Sequence, residues 1–377
     1  MLTNRGLAVD ISIFIPVYED SDQLASMLKD LSPQNVSKEI FVTVDEPSEQ
    51  FLEKMKQFEN DGNIRFIYNK ERVGKANALN STVKLSSGRV LFFLDSDVGI
   101  PDDADYLRKI VMEMQRVDVL DIKKKVTRGK SFLSKMAYYE YFTFNISAWL
   151  ASRFMHKCPA VNGAAFAIKR EVFEKIGGFH KVVAEDIDIA TRAFLEDSSF
   201  AYTHDVEVQN EVHGEWGKWF RQRRRWAIGQ ALWLKVWYKE LTKRFFKKPQ
   251  VFLPSLFFLY PSVGMFIVSA VVPSLWMYNS LLVFSLFLSI KFNIALPVFL
   301  VSLATADILK VLLISLSSFA LTAGVFYGFS RKLGFKIKLH ELFVYYFFYS
   351  SIWMAIIILG HIQVFAFGKK AGPDWKT

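Results

Sequence analysis

The chain has 377 residues, with 47 Lys plus Arg against 37 Asp plus Glu and a formal charge of +10, which is long enough for two or three domains and too long for a small disulfide-stapled scaffold. Hydrophobic residues make up 51%, charged residues 22%, and there are 36 Phe, which excludes a disordered chain. The one cysteine, Cys158, can neither close an internal disulfide nor anchor a Cys-rich zinc site, so any metal must be held by carboxylates or His.

Residues 1–10 (MLTNRGLAVD) lack the apolar stretch of a secretory signal, so the polar part of the chain is expected to stay in the cytosol. Ile11 to Val17 is a short β-branched run, followed by a helical stretch from Ser21 to Leu31. Lys38 to Val44 predicts a second strand ending at Asp45, and Glu49 to Glu59 a second helix. Ile64 to Tyr68, Lys75 to Leu85 and Val90 to Leu94 then read as strand, helix and strand. Apolar strands separated by helices of this length predict a parallel, doubly wound α/β sheet. Such sheets bind ligands outside the carboxyl ends of their strands, so the acids at those ends are the candidates.

Asp95-Ser96-Asp97 directly follows the strand VLFFL. Two carboxylates one residue apart at a strand end can hold a hard cation, Mg²⁺ or Mn²⁺, and leave positions for water and phosphate oxygens. Residues 131–157, rich in aromatics and too polar to span a bilayer, predict an interface helix. Glu185-Asp186-Ile187-Asp188 follows the turn Gly177-Gly178-Phe179; it reads either as a helix start with acids on the dipole or as a carboxylate base for an attacking hydroxyl.

From Lys218 to Lys248 there are eleven Lys or Arg and one acid, Glu240. As a helix this segment puts Trp219, Trp226, Trp233 and Trp237 on one stripe, and predicts an amphipathic element lying on anionic lipid with Trp at headgroup level. Within it, Gln222-Arg223-Arg224-Arg225-Trp226 combines a phosphate-gripping fork with a flat ring on which a sugar can stack.

Residues 251–366 carry only eight charged side chains. That composition predicts a transmembrane domain of about four helices, over 251–272, 275–290, 294–328 with Asp307 and Lys310 near the middle, and 342–366. The basic segment Arg331 to Lys338 conflicts with a cytosolic start and a cytosolic tail at 367–377. Either 294–328 is a hairpin, or the basic segment lies in the membrane interface. The expected plan is a polar α/β domain over 1–210, interface helices over 211–250, the membrane domain over 251–366 and the tail.

The ordered set Asp45, Asp95-Ser96-Asp97, Glu185-Asp186 and Gln222 to Trp226, followed by apolar helices, resembles the membrane-bound family 2 glycosyltransferases of the cellulose synthase, hyaluronan synthase and chitin synthase group, over roughly residues 10–230. The resemblance implies a GT-A (Rossmann-like) α/β fold. It implies a nucleotide-sugar site made by Pro16, Val17, Tyr18, Glu19, Asp45, Lys75, Asp95, Ser96, Asp97 and Arg225, with Asp95 and Asp97 holding Mg²⁺ or Mn²⁺. Asp186, beside Glu185, is the implied catalytic base, and Gln222 with Trp226 the acceptor contact. The implied reaction is inverting transfer of a hexose from a UDP- or GDP-linked donor to a membrane-associated glycan or lipid-linked acceptor, by an integral protein of the cell membrane.

The chain lacks the amino-terminal membrane helices of the large synthases, which favours a non-processive enzyme over a processive polysaccharide synthase. A polyprenyl-phosphate sugar synthase is the near rival, against which Gln222 to Trp226 counts. A glycosidase would not need the basic Trp helix. A peripheral module binding lipid or nucleic acid through residues 218–248 is the non-enzyme alternative; the apolar flanks favour lipid, and no nucleic acid is expected.

Overall fold

The computed structural model describes residues 9–127, 129, 131–212, 214–247, 249, 271, 274–293 and 303–370. These divide into two compact bodies, one drawn from residues 1–255 and 355–377, the other from 256–354.

The first body is built on one eight-stranded sheet of order β3-β2-β1-β4-β7-β6-β8-β5. β1 (Ile11–Tyr18) pairs in parallel with β2 (Lys38–Asp45) and with β4 (Val90–Leu94), and β2 pairs in parallel with β3 (Ile64–Asn69). β1, β2 and β4 are almost wholly buried, the state of strands covered on both faces. The helices between them supply the cover. α1 (Leu24–Leu31) buries Leu24, Met27, Leu28 and Leu31, which recur at helical spacing; α2 (Glu49–Met55) is capped by Ser48 and buries Phe51 and Met55.

The all-parallel expectation holds for these four strands and fails beyond them. β7 (Ala165–Lys169) runs antiparallel to both β4 and β6 (Val119–Val126), β8 (Phe200–Asn210) is parallel to β6, and the two-residue β5 (Val98–Gly99) is antiparallel to β8. The reversal has a use: pairing Leu94 with Ala165 sets the segment before β7 against the carboxyl end of β4. One row of rings crosses the sheet in register. Phe41, Phe14, Phe93 and Phe166 stand opposite one another on β2, β1, β4 and β7, with neighbouring centroids 5.2–5.6 Å apart.

α3 (Lys75–Val83), α4 (Tyr106–Met114), α6 (Arg170–Lys175) and α7 (Glu185–Leu195) also belong to this body. α5 (Phe132–Leu150) corrects the interface-helix expectation for 131–157. It is buried almost continuously from Leu133 to Ile146 and packs on β6 and β8, so its rings lie in the protein interior. α8 (Trp216–Lys247) is a single helix of 32 residues. Its small residues let it fit closely between neighbours: Gly229 lies against Val183 and Ala184, and Ala227 against Gly360.

The second body holds α9 (Ser274–Phe292), α10 (Leu303–Leu333), α11 (Leu339–Val344), a π-turn at Tyr345–Tyr349 and the start of α12 (Ser350–Phe365). Among the described residues two runs, Ala306–Leu333 and Leu339–Phe365, are long and apolar enough to cross a bilayer, each with mean hydropathy 2.0; Tyr278–Phe292 is a shorter apolar helix. The expected crossing over 251–272 lies outside the described residues except for Val271. From Leu303 to Leu333 the chain is one continuous helix with no hairpin turn, and Asp307 and Lys310 pair within it at 3.5 Å; 294–302 lie outside the described residues. In the basic segment Arg331 and Lys332 end α10, and Gly334 at φ 69° turns the chain, with the Phe335 amide donating 2.8 Å to the Ser330 carbonyl. Phe319 on α10 meets Phe343, Tyr346 and Phe347, joining the long helix to the π-turn region.

Candidate active site

The site begins at the carboxyl end of β2. Asp45 accepts 2.9 Å from the Gly74 amide on one oxygen and 2.8 Å from the Asn69 side-chain amide on the other. Gly74, at φ 86°, precedes α3 in a conformation that only glycine adopts without strain. Asp45 therefore fixes the loop that delivers Lys75, the first residue of α3. The Lys75 ammonium lies 2.8 Å from Asp95 Oδ1 and 3.0 Å from Glu185 Oε1. Burial works against its charge, but Asp95 and Glu185 more than offset this and hold its pKa above the ordinary lysine value.

The opposite wall comes from the start of α7. After α6 the chain passes Gly177 and Gly178 at φ 81° and 71°, then docks on α3: the Asn80 side chain accepts 2.9 Å from the Phe179 amide and donates 2.8 Å to the Phe179 carbonyl. A Cβ on Gly178 would stand 2.6 Å from Asn80 Oδ1, so the docking needs glycine. The Phe179 ring closes edge-on against Phe93 at 4.8 Å. This arrangement delivers Glu185 and Asp186 to the strand ends. Asp186 accepts 2.8 Å from the Gly163 amide and 2.8 Å from the Ile187 amide. Burial, then the neighbouring Glu185, push its carboxyl up to about 6, against the opposing pull of Lys75 and the two amides.

Pro16, Lys75, Asp95, Gly163, Glu185 and Asp186 line one pocket, with Phe93, Phe166 and Phe179 beneath them. The other sequence candidates lie around or away from it. Tyr18 is 44% exposed on the rim under the Arg72 guanidinium, 4.3 Å from its ring centroid. Its phenol is pushed up to about 12, first by hydrogen bonding to Glu19. Val17 faces the core. The Ser96 carbonyl accepts 2.6 Å from the Ser21 hydroxyl, and Asp97 stands exposed in the turn before β5.

Gln222, Arg225 and Trp226 are not among the described residues lining the pocket. Gln222 accepts 2.9 Å from Arg223, whose guanidinium sits 4.1 Å from the Trp226 ring centroid; Arg225 is exposed. Three of the four tryptophans of the expected stripe turn toward the protein. Trp219 is buried, the Trp233 indole donates 2.9 Å to Thr191 Oγ1, and the Trp237 indole donates 2.9 Å to Asp188 Oδ1. An indole N–H given an acceptor inside the protein turns inward, leaving the basic side chains outside.

Several contributors carry no mark in the sequence: Gly163, which holds Asp186; Asn80, which docks the Gly177-Gly178 turn; and Glu140, which pairs with Arg223 at 2.6 Å. Deeper in the same body, Lys124 and Asp121 form a sealed pair, with burial pushing the lysine down and the carboxyl up. As a cation site the donors are Asp95 and Asp97. Asp95 bonds Lys75 through Oδ1 alone, and oxygen donors of this kind suit Mg²⁺ or Mn²⁺. Among the described residues no cluster of three or more His, Cys, Asp or Glu is set to hold a metal.

The chain is 24% identical over 359 residues to the probable glycosyltransferase YdaM of Bacillus subtilis, covering 92% of this chain and 81% of that protein. It is 24% identical over 239 residues to the poly-beta-1,6-N-acetyl-D-glucosamine synthase of Staphylococcus epidermidis, an alignment spanning 62% of this chain and 58% of the relative. The solved structure of the mannosyltransferase PcManGT from Pyrobaculum calidifontis, in complex with GDP-Man and Mn²⁺, superposes with a TM-score of 0.51 at 19% identity, over 80% of this chain and 86% of that one. That likeness shows a shared GT-A-like fold. Residues 90–367, nearly three quarters of the chain, match the description Glycosyl transferase family group 2. With the family matched from β4 into the apolar helices and the fold matched across the sheet, the chain belongs to glycosyl transferase family group 2 and is a glycosyltransferase.

Proposed function

We propose that the protein transfers a hexose, with inversion, from a UDP- or GDP-linked donor to a membrane-associated glycan or lipid-linked acceptor. The observation that carries this reading is the meeting of Asp95, Lys75 and Asp186 in one pocket at the strand ends. The donor lies across the ends of β1, β2 and β4, its base toward Tyr18, Glu19 and Asp45 and its diphosphate toward Lys75 and Asp95. Asp95 and Asp97 would hold Mg²⁺ or Mn²⁺, which would supply positive charge to the leaving diphosphate when bound. Asp186, its carboxyl near 6, is ionised at neutral pH and takes the proton of the acceptor hydroxyl as that oxygen attacks the anomeric carbon. Departure of the diphosphate from the opposite face inverts the centre in one displacement.

The membrane setting is part of the proposal. Among the described residues two helices are long enough to cross, and α8 exposes Lys218, Arg221, Arg224, Arg225, Lys235, Lys239, Lys243 and Lys247. These suit an anionic lipid surface on the cytosolic side, with Arg225 and the half-buried Trp226 and Gln222 near the acceptor. A second reading, a processive synthase, is favoured by the similarity to the poly-beta-1,6-N-acetyl-D-glucosamine synthase. Radiolabelled UDP- and GDP-hexoses offered to the membrane-embedded enzyme with extracted lipids, with and without EDTA, test the proposal. Single-sugar addition abolished by EDTA and by Asp186→Asn supports it, and long polymer supports the second reading. Transfer undiminished in Asp186→Asn removes the base assignment, and a product hydrolysed to polyprenyl phosphate by mild acid would make the enzyme a polyprenyl-phosphate sugar synthase.

A further inference from the structure

The helix that carries Asp186 is tied from the far side by α8. Asp188, two residues beyond the proposed base, is 4% exposed. Its carboxylate accepts from Arg192 Nε at 2.9 Å and faces Arg192 Nη2 at 2.8 Å and His180 Nδ1 at 3.1 Å, while its other oxygen accepts from the Trp237 indole at 2.9 Å. Thr191, fully buried one turn later, places its hydroxyl 2.8 Å from the carbonyls of Ile187 and Pro159 and accepts the Trp233 indole at 2.9 Å. Arg244 reaches the end of the same helix, donating 2.8 Å to the Leu195 carbonyl. Ahead of the base, Gly229 brings the α8 backbone against Val183 and Ala184.

We propose that Trp233 and Trp237 are positioning residues for Asp186: their indole N–H groups lock α7 so that the base keeps its place over the pocket. Phenylalanine would keep an aromatic ring at each position but would have no donor to offer α7. What tryptophan adds is a donor at the edge, and both donors are spent on α7. His180 extends the lock, since Asp188 joins it to the Gly177-Gly178-Phe179 turn that Asn80 fixes on α3. The base is thus braced by α3 on one side and α8 on the other.

This inference rests on the reading of Asp186 as base, so the two are tested together in the full-length enzyme in lipid nanodiscs with radiolabelled UDP- and GDP-hexoses. In the Trp233→Phe/Trp237→Phe double variant kcat is expected to fall roughly tenfold to a hundredfold with the donor KM within about twofold of the parent, the pattern of a displaced catalytic group. The acid limb of the kcat profile is expected to move as well, which a loss of general rigidity would not produce. Should the double variant fail to fold, Trp237→Phe alone carries the same readout. A parent-like kcat and an unmoved acid limb, measured beside an inactive Asp186→Asn, overturn the positioning role and leave the base assignment standing. Full activity in Asp186→Asn overturns that assignment itself.

Discussion

Two cations in the first body, one buried and one half-open, meet carboxylates in opposite ways. Arg223 on α8 and Glu140 on α5 are sealed, at 1% and 2% side-chain exposure and 2.6 Å apart. Lys75 keeps 30% of its side chain exposed between Asp95 and Glu185, at 31% and 12%. The sealed pair joins two helices and offers nothing to a ligand. In the pocket one cation and three acids, Asp95, Glu185 and Asp186, are concentrated at the strand ends. Sealed pairs punish the loss of one partner, whereas half-open pairs give up little stability and leave their charge for chemistry.

The largest expected effect falls on the pocket side. Asp186→Asn keeps the size and one acceptor for the Gly163 amide, gives up the bond from the Ile187 amide and removes the base, so transfer is expected to drop by roughly 10²–10⁴-fold while stability falls by no more than about 1–2 kcal/mol. Next comes the sealed pair: Arg223→Ala strands Glu140 in the interior and is expected to cost about 3–5 kcal/mol, read as a lower melting temperature. Recovery of most of that loss in Arg223→Met/Glu140→Leu would show that the pair acts through compensation and not through catalysis. Lys75→Met should reverse the pattern, changing stability by no more than about 1 kcal/mol while weakening donor binding or rate roughly tenfold or more. Equal losses of stability at Lys75 and Arg223 would erase the contrast.

The smallest effect is one of pH. Asp186 must be ionised to accept a proton, so kcat should fall about tenfold per unit as pH drops below about 6, and flatten above it. The folded state holds that proton more tightly than the unfolded chain does. Its contribution to stability therefore declines as pH rises from the ordinary carboxylate range through about 6, the reverse of a salt-bridged acid. A limb near 4 would mean that burial does not raise this carboxyl.

The residues that act through local pattern were legible beforehand. The β-branched runs at β1, β2 and β4, the acids at their carboxyl ends and the apolar stretches beyond residue 303 all follow from short-range periodicity, which the chain carries whatever its tertiary partners. Asp45 was legible as a strand-end acid; that it accepts the Gly74 amide and so aims Lys75 was not. The antiparallel β7 stayed hidden because AFAIK reads as a buried strand in either direction. The segment 131–157 misled for a related reason: its rings suit a lipid interface and a protein interior equally well, and only α5 lying on β6 and β8 selected the interior.

By itself, then, the order of residues determined the strand-and-helix rhythm of the first half, the candidate acids and the basic, then apolar, character of the second half. Tertiary structure alone decided that Gly163 holds Asp186, that Lys75 bridges Asp95 and Glu185, and that Trp233 and Trp237 turn toward α7. The reason is range. Period and charge are properties of neighbours in the chain, whereas hydrogen bonds from an indole, an amide or an ammonium join residues 20 to 110 positions apart, and nothing local selects the partner until the sheet and α8 have brought them together.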